Sequence, residues 1–161
     1  MRILLAVDGS PCSDAAVREV ADRTWPEGSE AKAISVVEPI VPVIGEAWAF
    51  TDTNYLVEAD RIASDLARAT LDKAVQTMKQ SQSGKLTISS EVMRGFPKEV
   101  VLDEADRWRA DLIVVGSHGY RGLTRFMLGS VSQAIASHAR CSVEIVRCRD
   151  THQEEKGQGK S

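Results

Sequence analysis

Two runs in this chain are apolar with no polar interruption: ILLAV at 3–7 and LIVV at 112–115. A strand with one face in water alternates apolar and polar residues. A continuous run reads as a strand covered on both faces, as in a parallel sheet. What lies between these runs has helical period. Asp8-Gly9-Ser10-Pro11 breaks the first run. Ser10 is placed to cap a helix, and Pro11 suits its first turn. Ala16, Val17, Val20, Ala21 and Trp25 then form one stripe, which Pro26-Glu27-Gly28 ends.

The alternation continues. Ala31–Val37 reads as a second strand, and Leu56–Gln80 as a helix with Ala59, Ala63, Leu66, Ala67, Leu71, Ala74 and Met78 along one side. A turn at Ser81–Gly84 leads to a third strand, Leu86–Met93. Pro97 begins a helix carrying Val100, Val101, Ala105 and Trp108. Asp111–Val115 is the fourth strand, Ser130–His138 a helix with Val131, Ala134 and Ile135, and Val143–Val146 a last short strand. Strand and helix in strict alternation predict an α/β fold: an open, five-stranded parallel sheet with helices on both faces. Residues 38–54, with two prolines and a glycine, read as a long loop or flap. Its Trp48 and Phe50 are candidates to cover a ligand or a partner chain.

At 161 residues the chain suits one domain, expected over 1–149, with a polar, disordered tail at 150–161. The net charge of -3 and the lack of a basic block argue against nucleic acid or an anionic membrane as partners. No stretch nears the roughly 20 apolar residues of a membrane span. ILLAV is too short for a signal-peptide core, so the cytoplasm is the expected compartment. Cys12, Cys141 and Cys148 are odd in number, widely spaced and without a C-x-x-C pattern, and read as free thiols. Cys12 stands near a helix start, which lowers a thiol's pKa; the alternative is a small, partly buried side chain.

The segment most open to chemistry is GSHGYRGLTRFMLGS, 116–130. It follows the fourth strand and runs into a helix. Glycine lets a ligand approach the backbone, and a helix N-terminus offers unpaired N–H groups and a favourable dipole to an anion. Ser130 and Ser132 add hydroxyls. Glycine spacing alone leaves two readings open, a phosphate cradle and a plain flexible join with Ser130 as a cap. The segment is neither a Walker A loop, since no G-K-[ST] ends it, nor a compact G-x-G-x-x-G. His118 reads either as a weak phosphate or structural contact or as a general base. Arg121 and Arg125 read either as phosphate partners or as solvent-facing cations.

The spacing G, two residues, G, nine residues, G, S falls on Gly116, Gly119, Gly129 and Ser130. It resembles the nucleotide motif of the universal stress protein family. ILLAVDGSPCSDAAV resembles the family's opening strand, turn and helix, and VMRGFPKEVVLDEADRWRADLIVVGSHG its middle; the likeness covers about 2–147. It implies a Rossmann-like, adenine nucleotide alpha hydrolase-like fold that binds ATP, usually as a homodimer through the C-terminal strand region. By that resemblance Asp8 lies near ribose and phosphates, and Val36 or Val37 walls the adenine. Val115 and Gly116 line base and ribose, and Gly119, Gly129, Ser130 and Ser132 meet the phosphates. Ser117, His118 and Val131 complete the candidate set. Mg²⁺ or Mn²⁺ would be held mainly through the phosphates.

Two departures stand out. Cys141-Ser142 replaces the family's common Cys-Pro, and Glu144 puts a charge into the strand expected to pair across a dimer. The function expected is a nucleotide-dependent stress-response switch. The alternatives are a slow ATPase or autophosphorylating enzyme, and a nucleotide-free dimerisation or chaperone-like module.

Overall fold

The computed structural model describes residues 1–40, 53–80, 86–119 and 128–148. The turn at 81–84, most of the 38–54 loop with Trp48 and Phe50, Arg121, Arg125 and the 150–161 tail lie outside the described residues. The elements are β1 (Arg2–Ala6), α1 (Pro11–Asp22), β2 (Glu30–Val37), α2 (Thr53–Gln80), β3 (Thr87–Arg94), α3 (Pro97–Trp108), β4 (Leu112–Gly116), α4 (Ser130–His138) and β5 (Ser142–Val146). The strands form one sheet in the order β3-β2-β1-β4-β5, and every pairing is parallel.

The strand period of two divides the apolar runs between two cores. Ile3, Leu5 and Val7 of the first run join Leu112 and Val114 against α1 and α2, where Val17, Val20, Leu71 and Met78 are buried. Leu4 joins Ile34, Ile113 and Val115 against α3 and α4, where Val101, Ala105 and Ile135 are buried. Each buried Leu or Ile contributes about 1.5–3 kcal/mol relative to exposure. The central strands β1 and β4 therefore need apolar residues at every position.

Ser10 caps α1 as its sequence predicts, its Oγ accepting from the Ser13 N–H at 3.3 Å. The helix stops at Asp22, earlier than the stripe to Trp25 implies. Trp25 is still buried, its Nε1 donating to the Val20 carbonyl at 2.8 Å. On α2, Ala67, Leu71, Ala74 and Met78 are buried, but Leu66 is 60% exposed and does not belong to the core stripe. It neighbours Ala67 on the helical wheel, and only Ala67 turns to the sheet.

Glu104, on the buried side of α3, is fully covered. Its carboxylate accepts from Lys32 Nζ at 2.8 Å and pairs with Arg107. Lys32 also meets Glu91 at 2.5 Å, linking β2, β3 and α3. Burial pushes the Lys32 ammonium down, but its hydrogen bonds to Glu104 and Glu91 outweigh that and leave it raised. The Lys32 hydrogen bond lowers Glu91.

The thiol expectation fails for two of three cysteines: Cys12 and Cys148 form a disulfide across 136 residues, and Cys141 stays free. Sequence distance concealed the pairing. The order β1-β4-β5 and the packing of α1 on β4 and β5 bring the start of α1 beside the end of β5. Glu144 is not a bare edge charge either. It accepts from Arg23 of α1 through both oxygens, at 2.8 and 2.7 Å. Among the described residues no helix is long and apolar enough to cross a membrane.

Candidate functional site

Strand order reverses between β1 and β4. From β1 the chain winds outward through α1 to β2. Beyond β4 it winds the other way through α4 to β5. Loops leaving the C-terminal ends of β1 and β4 therefore part, and parallel α/β sheets open a crevice at that point. Here the crevice is a cleft of ≈ 500 Å³. Asp8, Val36, Val115, Gly116, His118, Gly119, Gly129, Ser130, Val131 and Ser132 all line it. Val37 and Ser117 do not: both are buried, at 5% and 1% exposure. The choice between Val36 and Val37 is thus made by strand alternation, with Val36 toward the cleft.

The turn after β1 is held from several sides. The backbone N–H groups of Asp8 and Gly9 donate to Ser13 Oγ at 3.2 and 3.3 Å. Asp8 Oδ1 accepts from the Ser10 N–H at 2.9 Å, and Ser10 Oγ donates to the His118 carbonyl at 3.2 Å. These bonds fix the Asp8 carboxylate at the mouth of the cleft and stitch the β1 turn to the β4 turn.

The far wall is the start of α4. Its N-cap is Gly129, with no side-chain cap, so Ser130 is the first helical residue and not the cap. Gln133 makes the first helical bond back to the Gly129 carbonyl at 2.9 Å. The amides of Ser130, Val131 and Ser132 precede that bond and have no intrahelical acceptor, which makes this end a place for an anion. Ser132 has a different task from the one its hydroxyl implies. It is buried, and its Oγ donates to the carbonyls of Ser117 and Gly129 at 3.0 and 2.9 Å. The Gly129 N–H donates to the same Ser117 carbonyl at 2.8 Å. One acceptor thereby ties β4 to α4.

Close approach explains the first two glycines. A Cβ on Gly116 would lie 2.7 Å from the backbone of Cys12 and Ser13, so this glycine lets β4 touch α1. A Cβ on Gly119 would lie 2.6 Å from Asp8 Oδ2. Backbone at this distance from a carboxylate needs glycine without any unusual turn conformation.

Charge in the cleft is lopsided. Asp8 and Glu38 line it, and among the described lining residues there is no Lys or Arg. Attraction for an anion comes from the α4 amides and from His118. The imidazole Nδ1 is 3.1 Å from Ser117 Oγ, which orients the ring. Its Nε2 is buried and finds no hydrogen-bond partner among the described residues. A buried polar atom of this kind wants a partner, and a ligand in the cleft is one.

Sequence reasoning missed Ser13, Ile34, Glu38, Pro97 and Val101. Ser13 had a signal, the Ser10-x-x-Ser13 spacing at a capped helix start. Ile34 and Glu38 enter because β2 pairs with β1, with Ala6 opposite Ile34, and strand order is not written in local sequence.

The match to known proteins agrees with this geometry. Residues 1–147 match the model of the universal stress protein family. A universal stress protein of Mycolicibacterium smegmatis is 32% identical over 150 residues, covering 91% of this chain and 46% of that protein. The chain thus spans about half the length of that relative. The solved structure of the universal stress protein UspA from Lactobacillus plantarum has a TM-score of 0.73 at 24% identity, covering 91% of this chain and 97% of that one. A universal stress protein in complex with cAMP has a TM-score of 0.66 at 23% identity, covering 92% and 98%. An Arabidopsis thaliana family protein with AMP bound has a TM-score of 0.66 at 18% identity, covering 97% of each chain. With its parallel sheet, its glycine frame and a family match over nearly its whole length, this chain belongs to the universal stress protein family.

Proposed function

We propose that this protein binds ATP in the cleft between β1 and β4 and acts in the cytoplasm as a nucleotide-dependent stress-response switch. The observation that carries the reading is the convergence of Asp8, Gly119 and the uncapped start of α4 on one crevice. Val36 and Val115 offer an apolar wall to the base, Asp8 and Gly116 flank the ribose, and the α4 amides with Ser130 receive the phosphates. The orphaned His118 Nε2 gains a phosphate oxygen as acceptor. Similar folds holding cAMP and AMP support an adenine ligand. Mass spectrometry of small molecules carried through native purification tests the reading. An adenine nucleotide in stoichiometric amount is expected, and its absence counts against it.

Mg²⁺ or Mn²⁺ fits here through the phosphates. Two carboxylates facing the cleft repel a polyphosphate, and a divalent cation between them relieves that repulsion. Among the described residues no group of three or more His, Cys, Asp or Glu could hold the ion alone.

The oriented His118 favours one second reading, slow ATP hydrolysis or autophosphorylation. It would act there as a hydrogen-bonding or proton-accepting group. Following radiolabelled γ-phosphate separates the two: neither release nor protein labelling leaves the binding switch. We also propose a homodimer through β5, which is an edge strand. Its Glu144 is engaged by Arg23, so its charge is compensated within one chain. Sedimentation at increasing concentration tests this.

A further inference from the structure

The Cys12–Cys148 disulfide stands directly behind the cleft. Two separate chains of contact run from it to the ligand-facing residues. On one side Cys12 precedes Ser13, whose hydroxyl holds the Asp8–Gly9 turn. On the other, Ser117 Oγ lies 3.7 Å from Cys12 Sγ, donating toward it, and meets His118 Nδ1 at 3.1 Å. The carbonyl of that same Ser117 anchors Gly129 and Ser132 at the start of α4. One sulfur therefore touches the group that positions His118, and its neighbour in sequence positions Asp8.

We propose that Cys12–Cys148 is a thiol–disulfide exchange site that sets nucleotide affinity, tight when oxidised and weak when reduced. It rests on the nucleotide reading above. Cross-links in a reducing compartment are mostly transient and regulatory, which gives a disulfide beside a ligand cleft a role beyond stapling the fold. Cleavage has a direction. Cys12 is 4% exposed and Cys148 is half-buried, so an incoming thiolate reaches Cys148. A thiolate of a small dithiol attacks Cys148 Sγ and the Cys12–Cys148 bond breaks. The electron pair leaves on Cys12 Sγ, in the first turn of α1 and next to the Ser117 hydroxyl, and both stabilise the departing thiolate. The reductant's second thiol then displaces Cys148 and leaves as a disulfide. Two electrons and two protons have passed to the protein. A small disulfide reverses the sequence.

Two effects weaken binding after reduction. The start of α1 is no longer tied to the end of β5, so Asp8 and the Ser117 anchor lose preorganisation. A thiolate character at Cys12 also places negative charge behind the phosphate end of the cleft. Coupling between sites is reciprocal, so bound nucleotide must protect the disulfide from reduction by the same factor.

The experiment uses the full chain, equilibrated in reduced and oxidised glutathione mixtures, with thiols trapped and counted by mass. Calorimetry with ATP is run on both forms. The expectation is about fivefold weaker ATP binding when reduced, with ATP shifting the redox midpoint ratio by the same factor. Cys148→Ser and Cys12→Ser should both hold the weak affinity at every glutathione ratio, and Cys141→Ser should behave as the parent. The Cys148 variant guards against misfolding caused by altering the buried Cys12. Burial raises the Cys141 thiol, which keeps it slow in the trapping reaction. Equal affinity in both forms overturns this proposal and leaves the nucleotide reading standing. No ATP binding in either form overturns both, and failure of the disulfide to form in excess oxidised glutathione overturns this one alone.

Discussion

A Cβ placed on Gly119 would stand 2.6 Å from Oδ2 of Asp8, so the turn after β4 presses against the carboxylate that follows β1. Asp8 cannot simply step aside, because its other oxygen accepts the Ser10 N–H at 2.9 Å. Gly119→Ala should therefore displace Asp8 or the loop while leaving both cores intact. The expected result is a loss of ATP affinity of roughly tenfold, about 1.4 kcal/mol, with a melting temperature within about 3 °C of the parent. Calorimetry and thermal unfolding on one preparation check both halves.

Gly116→Ala should behave in the opposite way. Its Cβ meets backbone atoms of Cys12 and Ser13 at 2.7 Å, and backbone cannot rotate out of reach. Moving α1 off β4 disturbs the packing of Ala16 and Val17. A cost of about 1–3 kcal/mol in stability is expected, measured by denaturant unfolding.

Ser132→Ala removes the hydroxyl that donates to the Ser117 and Gly129 carbonyls. The Ser117 carbonyl keeps the Gly129 N–H as donor, so no buried acceptor is stranded. Stability should fall by about 1 kcal/mol. Nucleotide affinity should fall as well, since α4 loses one of two ties to β4. Unchanged affinity would mean that the Gly129 bond alone holds the frame.

The Lys32 cluster predicts a pH profile. Glu91 is lowered in the folded protein, so its contribution is present above its ordinary value of 4.5 and is lost as pH falls through the folded value. Lys32 is raised, so its contribution is full below its ordinary 10.5 and is lost as pH climbs through the folded value. Glu91→Gln should flatten the acid limb and leave the neutral plateau nearly in place, because Glu91 is largely exposed. Glu104→Ala should be far harsher, by about 3–5 kcal/mol, because Lys32 is left buried with only part of its partnership. Melting temperatures from acid to alkaline pH follow both.

The fold was legible in this sequence wherever a run was apolar at every position. ILLAV and LIVV announced central strands, and the bounds of α4 coincide with those expected. Leu66 failed because a helix stripe one residue wide does not say which of Leu66 and Ala67 turns inward. The buried Glu104 was illegible, since its partner Lys32 is 72 positions away on another element. The cysteine pair was hidden for the same reason, across 136. At the site, the glycine spacing located the cleft, and strand alternation decided for Val36. The spacing did not tell which glycine serves a ligand and which serves packing. That division depends on α1 lying against Gly116 and Asp8 against Gly119, which are contacts between segments over 100 residues apart.

The most direct test of the account is calorimetric titration of nucleotide-stripped, oxidised protein with ATP, with and without Mg²⁺. The account predicts one ATP per chain, tighter by several-fold with Mg²⁺ because Asp8 and Glu38 face the cleft, and weakened by Gly119→Ala. No heat of binding from ATP, ADP or AMP, in the presence or absence of Mg²⁺, would contradict it.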